Sequence, residues 1–297
     1  MENRIGIVNY LIVLQICNFN RNKAHIEYIK NESFLLLKPF EECIFDFDSD
    51  SMKLYDKYDR KLLDNVNHFL DEMSSDETVI FYKNENYPKY MFDVDKYPLC
   101  FFAKGNVGLL NNHSRAISIV GTRNPSDNAI NNTNRIVRFL INRDVTIVSG
   151  LAKGIDGIAH KVCKEYEYNK LIGVIGTPLN KSYPKENREL QKYVSDTGCL
   201  ISEMPYFEST KRWSFTRRNF VMSLFSKASI VMEASDTSGT ISQARHTLRN
   251  DRYLLVPYNV FSNPNNSWPS KFRTEYNKIY SFNSFEELKG LMSEIQL

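Results

Sequence analysis

The sequence predicts an α/β protein: an extended Rossmann-like, doubly wound, mainly parallel sheet preceded by a small helical N-terminal domain. Three observations predict it. Short apolar runs recur through residues 113–297, each continuous rather than alternating, as expected of strands buried on both faces. Segments of helical length separate these runs, which gives every strand a crossover helix. Residues 1–75 carry helical spacing instead, with Tyr58, Leu62, Val66, Phe69 and Leu70 on one stripe.

Residues 1–75 read as the small helical domain. Its apolar stretch Ile5–Phe19 is interrupted by Asn9 and Gln15, is too short to span a bilayer and lacks a small-residue cleavage site. Residues 76–112 are irregular and aromatic; Pro88 and Pro98 preclude long helices, so this segment reads as a connector packed on the Rossmann-like region. The strands of that third region, 113–297, are "AISIVGT" (116–122), "VTIVSG" (145–150), "KLIGVIG" (170–176), "CLISEM" (199–204), "ASIVMEA" (228–234) and "RYLLVPY" (252–258). Crossover helices are expected at 129–143, 154–167, 185–196 and 241–250.

Composition fits a globular protein, with 42% hydrophobic and 25% charged residues in a chain of 297. Its net charge of +3 conceals an asymmetry: residues 1–100 hold 12 Lys+Arg against 18 Asp+Glu, whereas residues 101–297 hold 26 against 17. A basic C-terminal part suits a polyanionic partner. The five cysteines form no C-x-x-C pair, which argues for a reduced, cytoplasmic protein and against a disulfide frame or zinc site. The five histidines show no ligand spacing, so no metal is expected.

Two strand ends carry basic, glycine-containing turns. "SIVGTRNPS" places Gly121, Arg123 and Ser126 after one strand; "IVSGLAKGID" places Ser149, Gly150, Lys153 and Gly154 after the next. At the carboxyl edge of a parallel sheet, such turns present backbone N–H groups and a cation to an anion. Glycines there also serve tight turns without any ligand. Neither turn is a dinucleotide or Walker-type fingerprint, so no nucleotide cofactor is expected. Asp156 and His160 share a helix face, where the acid is expected to orient the turn and the histidine to pack beneath it. In "YFESTKRWSFTRRNF" (206–220), Lys211, Arg212, Arg217 and Arg218 alternate with aromatic residues. Single-stranded nucleic acid calls for that mixture, although a loop with buried rings and solvated charges has the same text. In "EASDTSGTISQA" (233–244), Ser238, Gly239 and Thr240 form another anion seat.

In this order the stretches resemble the DprA/Smf family of DNA-processing proteins, over about Tyr87 to Leu288. "VSGLAKGIDGIAH" is similar, without a gap, to the family's S-G-x-A-x-G-I-D-x-x-A-H block, and "SIVGTRNPS" is similar to its G-S-R-x-x-S motif. "YPKYMFDVDKYPLCFFAKGN", "LISEMP", "SFTRRNFVMSLFS" and "SGTISQA" complete the set. The resemblance implies that Arg123 and Lys153 contact the DNA backbone and that Gly121, Gly150 and Gly154 shape a phosphate pocket. It matches Arg218 and Asn219 to the family's R-N pair. It further implies a non-enzymatic protein that binds and protects single-stranded DNA, loads a RecA-type recombinase during transformation or recombination, and forms a homodimer through its Rossmann part. Departures include Pro178 and Asn180 in "GTPLNKSYPKEN", Thr216 and Phe220 in "FTRRNF", and Tyr258 in "VPY". With Leu297 coming soon after "SFEELKGLM", the winged-helix domain of many members is expected to be lacking, which marks a divergent member. Two other readings stand beside this one: a nucleotide- or DNA-sensing defence component, and a nucleoside-monophosphate phosphoribohydrolase, whose signature "SDTSGTISQ" retains only in Gly239 and Thr240.

Overall fold

In the computed structural model, which describes residues 3–43 and 46–297, the apolar N-terminal stretch forms helix α1 (Arg4–Ile16), buried from Gly6 to Ile16 at all but one position. Its two polar interruptions tie down backbone carbonyls of later segments. Asn9 donates to Leu35 O and Lys38 O at 2.8 and 2.7 Å, and Gln15 donates to Leu62 O at 3.0 Å. Buried side-chain amides are tolerated in an apolar setting when paired in this way. Helices α2 (Arg21–Lys30), α3 (Glu32–Leu35), α4 (Met52–Tyr55) and α5 (Arg60–Glu72) come next. Asp59 caps α5 by accepting from Lys61 N, and the helix buries Val66, Phe69 and Leu70 of the stripe read in the sequence. Tyr58 precedes that helix. No described helix is long and apolar enough to cross a membrane.

Strands β1 (Glu77–Phe81) and β2 (Cys100–Gly105) occupy the segment that reads as irregular. The prolines do fall between elements, and the strands are too brief to show a period. The chain divides into two compact units, Met1–Ala103 with Glu203–Ser209, and Lys104–Ser202 with Thr210–Leu297. In the first unit Arg21 lies 6% exposed and donates to both carboxylate oxygens of Glu208, which is 1% exposed, and to the Glu203 carbonyl at 2.9 Å. This two-pronged pair fixes the 203–209 segment against α2.

The second unit alternates strands and helices. Its elements are β3 (Ala116–Val120), α6 (Asp127–Ile141), β4 (Thr146–Ser149), α7 (Ile155–Glu165), β5 (Leu171–Val174), α8 (Arg188–Thr197), β6 (Cys199–Ser202), α9 (Arg212–Leu224), β7 (Ala228–Val231), α10 (Thr240–Arg249), β8 (Tyr253–Pro257), α11 (Tyr258–Phe261), α12 (Trp268–Glu275), β9 (Ile279–Phe282) and α13 (Phe285–Glu294). The strands run in the order β6-β5-β4-β3-β7-β8-β9, and every neighbouring pair is parallel. The chain therefore winds outward from β3 in one direction, then returns to β7 and winds in the other. The doubly wound sheet and the helical N-terminal portion agree with the sequence. β9 escaped notice because its middle residues are half-exposed, which breaks the continuous apolar run.

One correction concerns residues 206–220. Residues from Arg212 onward form α9, not a loop of alternating charges and rings. Tyr206 and Phe207 belong to the first unit, where both pack edge-on against Phe69.

Candidate nucleic-acid interface

The carboxyl ends of β3, β4 and β5 carry the turns singled out in the sequence. A cleft of about 140 Å³ lies there, lined by Arg123, Gly150, Lys153, Tyr183, Phe215 and Arg218, with Glu186 on its wall. It adjoins a wider groove of about 500 Å³ that shares Arg123, Lys153 and Glu186 and adds Gly154, Lys161 and Asn187. Arg123 and Lys153 are exposed and make no ion pair among the described residues. The rings of Tyr183 and Phe215 lie with centroids 5.0 Å apart and planes inclined at 46°, and Tyr183 is 50% exposed. The site thus combines fixed cations with available ring faces.

Arg218 is the deepest cation, at 7% exposure. Its guanidinium Nη1 lies 3.4 Å from an Asp156 carboxylate oxygen and 3.4 Å from the Val174 carbonyl, while its Nε has no partner among the described residues. A buried donor left unpaired is costly unless something completes it. Burial pushes the Asp156 carboxyl above its ordinary range against the pull of Arg218, and lowers the Arg218 pKa, with Arg123 adding repulsion. Asp156 also accepts the backbone N–H groups of Gly150 and Ala152. It is the orienting acid that the sequence suggested, and it acts on both the turn and the arginine.

Two glycines have a steric reason. A Cβ on Gly150 would sit 1.1 Å from Arg218 Nη1, so the guanidinium lies directly on the bare backbone. Gly154 has φ +82°, and a Cβ there would meet Thr122 O at 2.3 Å. Leu151 between them is left-handed at φ 55°. Asn187 holds this strained turn by donating to Leu151 O and Ala152 O at 2.9 and 3.1 Å.

The remaining sequence-derived residues scatter. Gly121 packs against Ile155. Ser149 is fully buried and donates its hydroxyl to Ile119 O at 2.6 Å, which withdraws it from solvent. Ser126 caps α6 and gives its backbone N–H and hydroxyl to the Glu233 carboxylate, at 2.9 and 3.0 Å. On α9 consecutive residues diverge by roughly 100°: Arg217 lies over the Phe220 ring at 4.4 Å, while Asn219 approaches Gly239 O at 3.4 Å. Ser238 and Thr240 bond each other at 3.0 Å beside Gly239. His160 is fully buried, 3.3 Å from Ile172 O, and packs where the sequence placed it.

A family model for DNA recombination-mediator protein A matches residues 78–278, a span that holds every residue of the cleft. The chain belongs to that family. DNA processing protein DprA of Bacillus subtilis is 33% identical over 179 residues, covering 60% of this chain and 60% of that protein. Protein Smf of Synechocystis sp. is 33% identical over 182 residues, covering 61% of this chain and 44% of its own length. The matches therefore span less than two thirds of these relatives. Among solved structures, DNA processing protein A of Streptococcus pneumoniae shares the fold, with a TM-score of 0.74 and 22% identity over 92% of this chain and 94% of that one. DNA processing protein A of Helicobacter pylori, described for its unique single-stranded DNA binding mode, gives a TM-score of 0.63 at 25% identity over 73% of this chain and 96% of that one.

Within this family member, sequence reasoning missed Glu233, Asn187, Tyr183 and Lys161 as contributors to the site. Asn187 and Tyr183 stand in "GTPLNKSYPKEN", a stretch conspicuous for its departures rather than for what remains in it.

Proposed function

We propose that the chain binds single-stranded DNA along the carboxyl edge of its parallel sheet and acts as a non-enzymatic recombination mediator. The observation that carries this reading is the convergence of Arg123, Lys153 and Arg218 on one cleft with the rings of Tyr183 and Phe215. Cations neutralise successive phosphates, and ring faces take bases without regard to sequence. Arg218, held by Asp156 with an unused Nε, adds a preorganised donor in a dry setting. The single-stranded DNA binding described for the Helicobacter pylori relative supports the same class of ligand. Protection of the strand, its transfer to a RecA-type recombinase, a homodimer built through the sheet domain and a cytoplasmic location belong to this proposal as its finer parts.

The test is binding of labelled single-stranded and duplex oligonucleotides across a salt series. Single strands are expected to bind more tightly. Arg123→Ala and Lys153→Ala should each weaken binding and reduce the slope of log K against log salt by about 0.7, the single-strand value per phosphate contact. Variants that bind with the wild-type slope remove the cleft from the interface.

A further inference from the structure

A second groove, of about 560 Å³, opens at the carboxyl ends of β8 and β9, where Pro257 and Phe282 close those strands. One wall is α6, which presents Asn128, Asn132 and Arg135 on a single face at helical spacing. The other wall supplies Tyr258, Asn259, Asn283 and Glu286. With one cation and one acid, the lining has no net charge and offers little to a phosphate. Four carboxamides dominate instead; Asn132 donates to Asn128 at 3.4 Å, and the set still offers donors and acceptors together, the complement of a nucleobase edge of any kind. Tyr258 is 52% exposed at the mouth, a flat face with no aromatic neighbour among the described residues. Arg135 lies over the Phe285 ring at 5.0 Å, and Phe285 stacks on Phe139 at 5.0 Å, so this cation has a ring partner within the protein.

The geometry points to a base-binding subsite for single-stranded nucleic acid in this groove, contacted by Tyr258 through stacking and by the asparagines through base edges. This rests on the reading of the Arg123 cleft, because the two lie on the same sheet edge on either side of the start of α6. Asn128 of the groove follows Arg123 of the cleft by five residues, a stretch of chain that spans at most about 18 Å, which a few extended nucleotides cover. A strand whose phosphates occupy the cleft can therefore lay its next bases in the groove. The division of labour is specific: the cations that hold phosphates lie on the cleft side of α6, and the bases beyond those on Tyr183 and Phe215 rest on Tyr258 and the asparagines on the other.

The experiment measures affinity of the full chain for oligothymidylates of about 4 and about 16 nucleotides, the range of single-strand site sizes. Tyr258→Ala should weaken the longer oligonucleotide about tenfold, leave the shorter one unchanged, and leave the salt slope of both unchanged. Tyr258→Trp should restore the longer one, since it keeps a ring to stack on. Equal binding of the longer oligonucleotide by wild type and Tyr258→Ala overturns the subsite, as does a loss of the same size at both lengths. A chain that binds neither length overturns the cleft, and the subsite with it; short-strand binding with no gain from length overturns the subsite alone.

Discussion

Gly150 reads in the sequence as part of a phosphate-facing turn, yet its lack of a side chain answers to a neighbour inside the protein. The Arg218 guanidinium occupies the space where a Cβ would be. Asp156 fixes both partners, taking the Gly150 and Ala152 amides and facing Arg218. The turn, the acid and the arginine are therefore one device, assembled from residues 68 positions apart at most. Gly150→Ala should displace the arginine tip rather than unfold the chain, because the clash is with the end of a flexible side chain. A destabilisation of about 1–3 kcal/mol is expected from overpacking, with DNA affinity lowered about tenfold. Urea unfolding and oligonucleotide binding measure the two effects; undiminished affinity would show that Arg218 makes no contact with the strand.

At the scale of elements, the loop between β3 and α6 is the part most dependent on a distant segment. Thr122 N–H donates to the Glu233 carbonyl at 2.8 Å, and Ser126 gives its N–H and hydroxyl to the Glu233 carboxylate. Both ends of the loop that carries Arg123 are thus held by the residue just past β7. The carboxylate also fills the N-terminus of α6, where the helix dipole favours negative charge. The crevice between β3 and β7, the topological switch point where doubly wound sheets commonly bind ligands, is therefore occupied from within, and the open cations lie over β3, β4 and β5. Glu233→Ala should lower stability by about 1–3 kcal/mol, from the loss of charge-assisted hydrogen bonds. It should also weaken DNA binding through a loosened Arg123. Thermal melting and the salt-dependent binding assay test it, and a variant as stable and as tight-binding as wild type would rule out the clamp. α9 shows a related effect. Its string of cations and rings suggests one binding strip, but helical rotation sends Arg217 onto Phe220 and Asn219 toward Gly239, leaving Phe215 and the deep-set Arg218 to line the cleft.

For the whole molecule, two shielded histidines lower stability on the acid side. Burial pushes His160 down to about 4 from 6.5, and burial together with Arg249, Arg217 and Arg245 does the same to His246. The unfolded chain takes up protons below about pH 6.5 that the native fold refuses until about pH 4. Stability is therefore complete above pH 6.5 and falls through this window, by about 1.4 kcal/mol per pH unit for each histidine at the steepest. His160→Gln should flatten the decline of unfolding free energy between pH 6.5 and 4; a profile parallel to wild type would mean that His160 takes its proton while folded.

Legibility differed by region for physical reasons. The strands β3 to β8 announced themselves because burial on both faces enforces continuous apolar text, and the crossover helices could be inferred from chain length between them. β1, β2 and β9 did not, since short or half-exposed strands need no such run. In the site, Arg123 and Lys153 were legible as cations beside glycines and Arg218 as a cation among aromatic residues, whereas Glu233 looked like any acid after a strand. Ser149 looked like a ligand for DNA and turned out to bond a neighbouring strand.

The sequence by itself determined the doubly wound class, the basic turns at the strand ends and the family, because burial periodicity and local turn chemistry are written in consecutive residues. Only the tertiary structure decided which of those residues share a cleft, that Gly150 yields its space to Arg218, and that Glu233 closes the switch point. Such pairings depend on how far each helix rotates and where each crossover lands, and these are settled by packing between segments far apart in the chain.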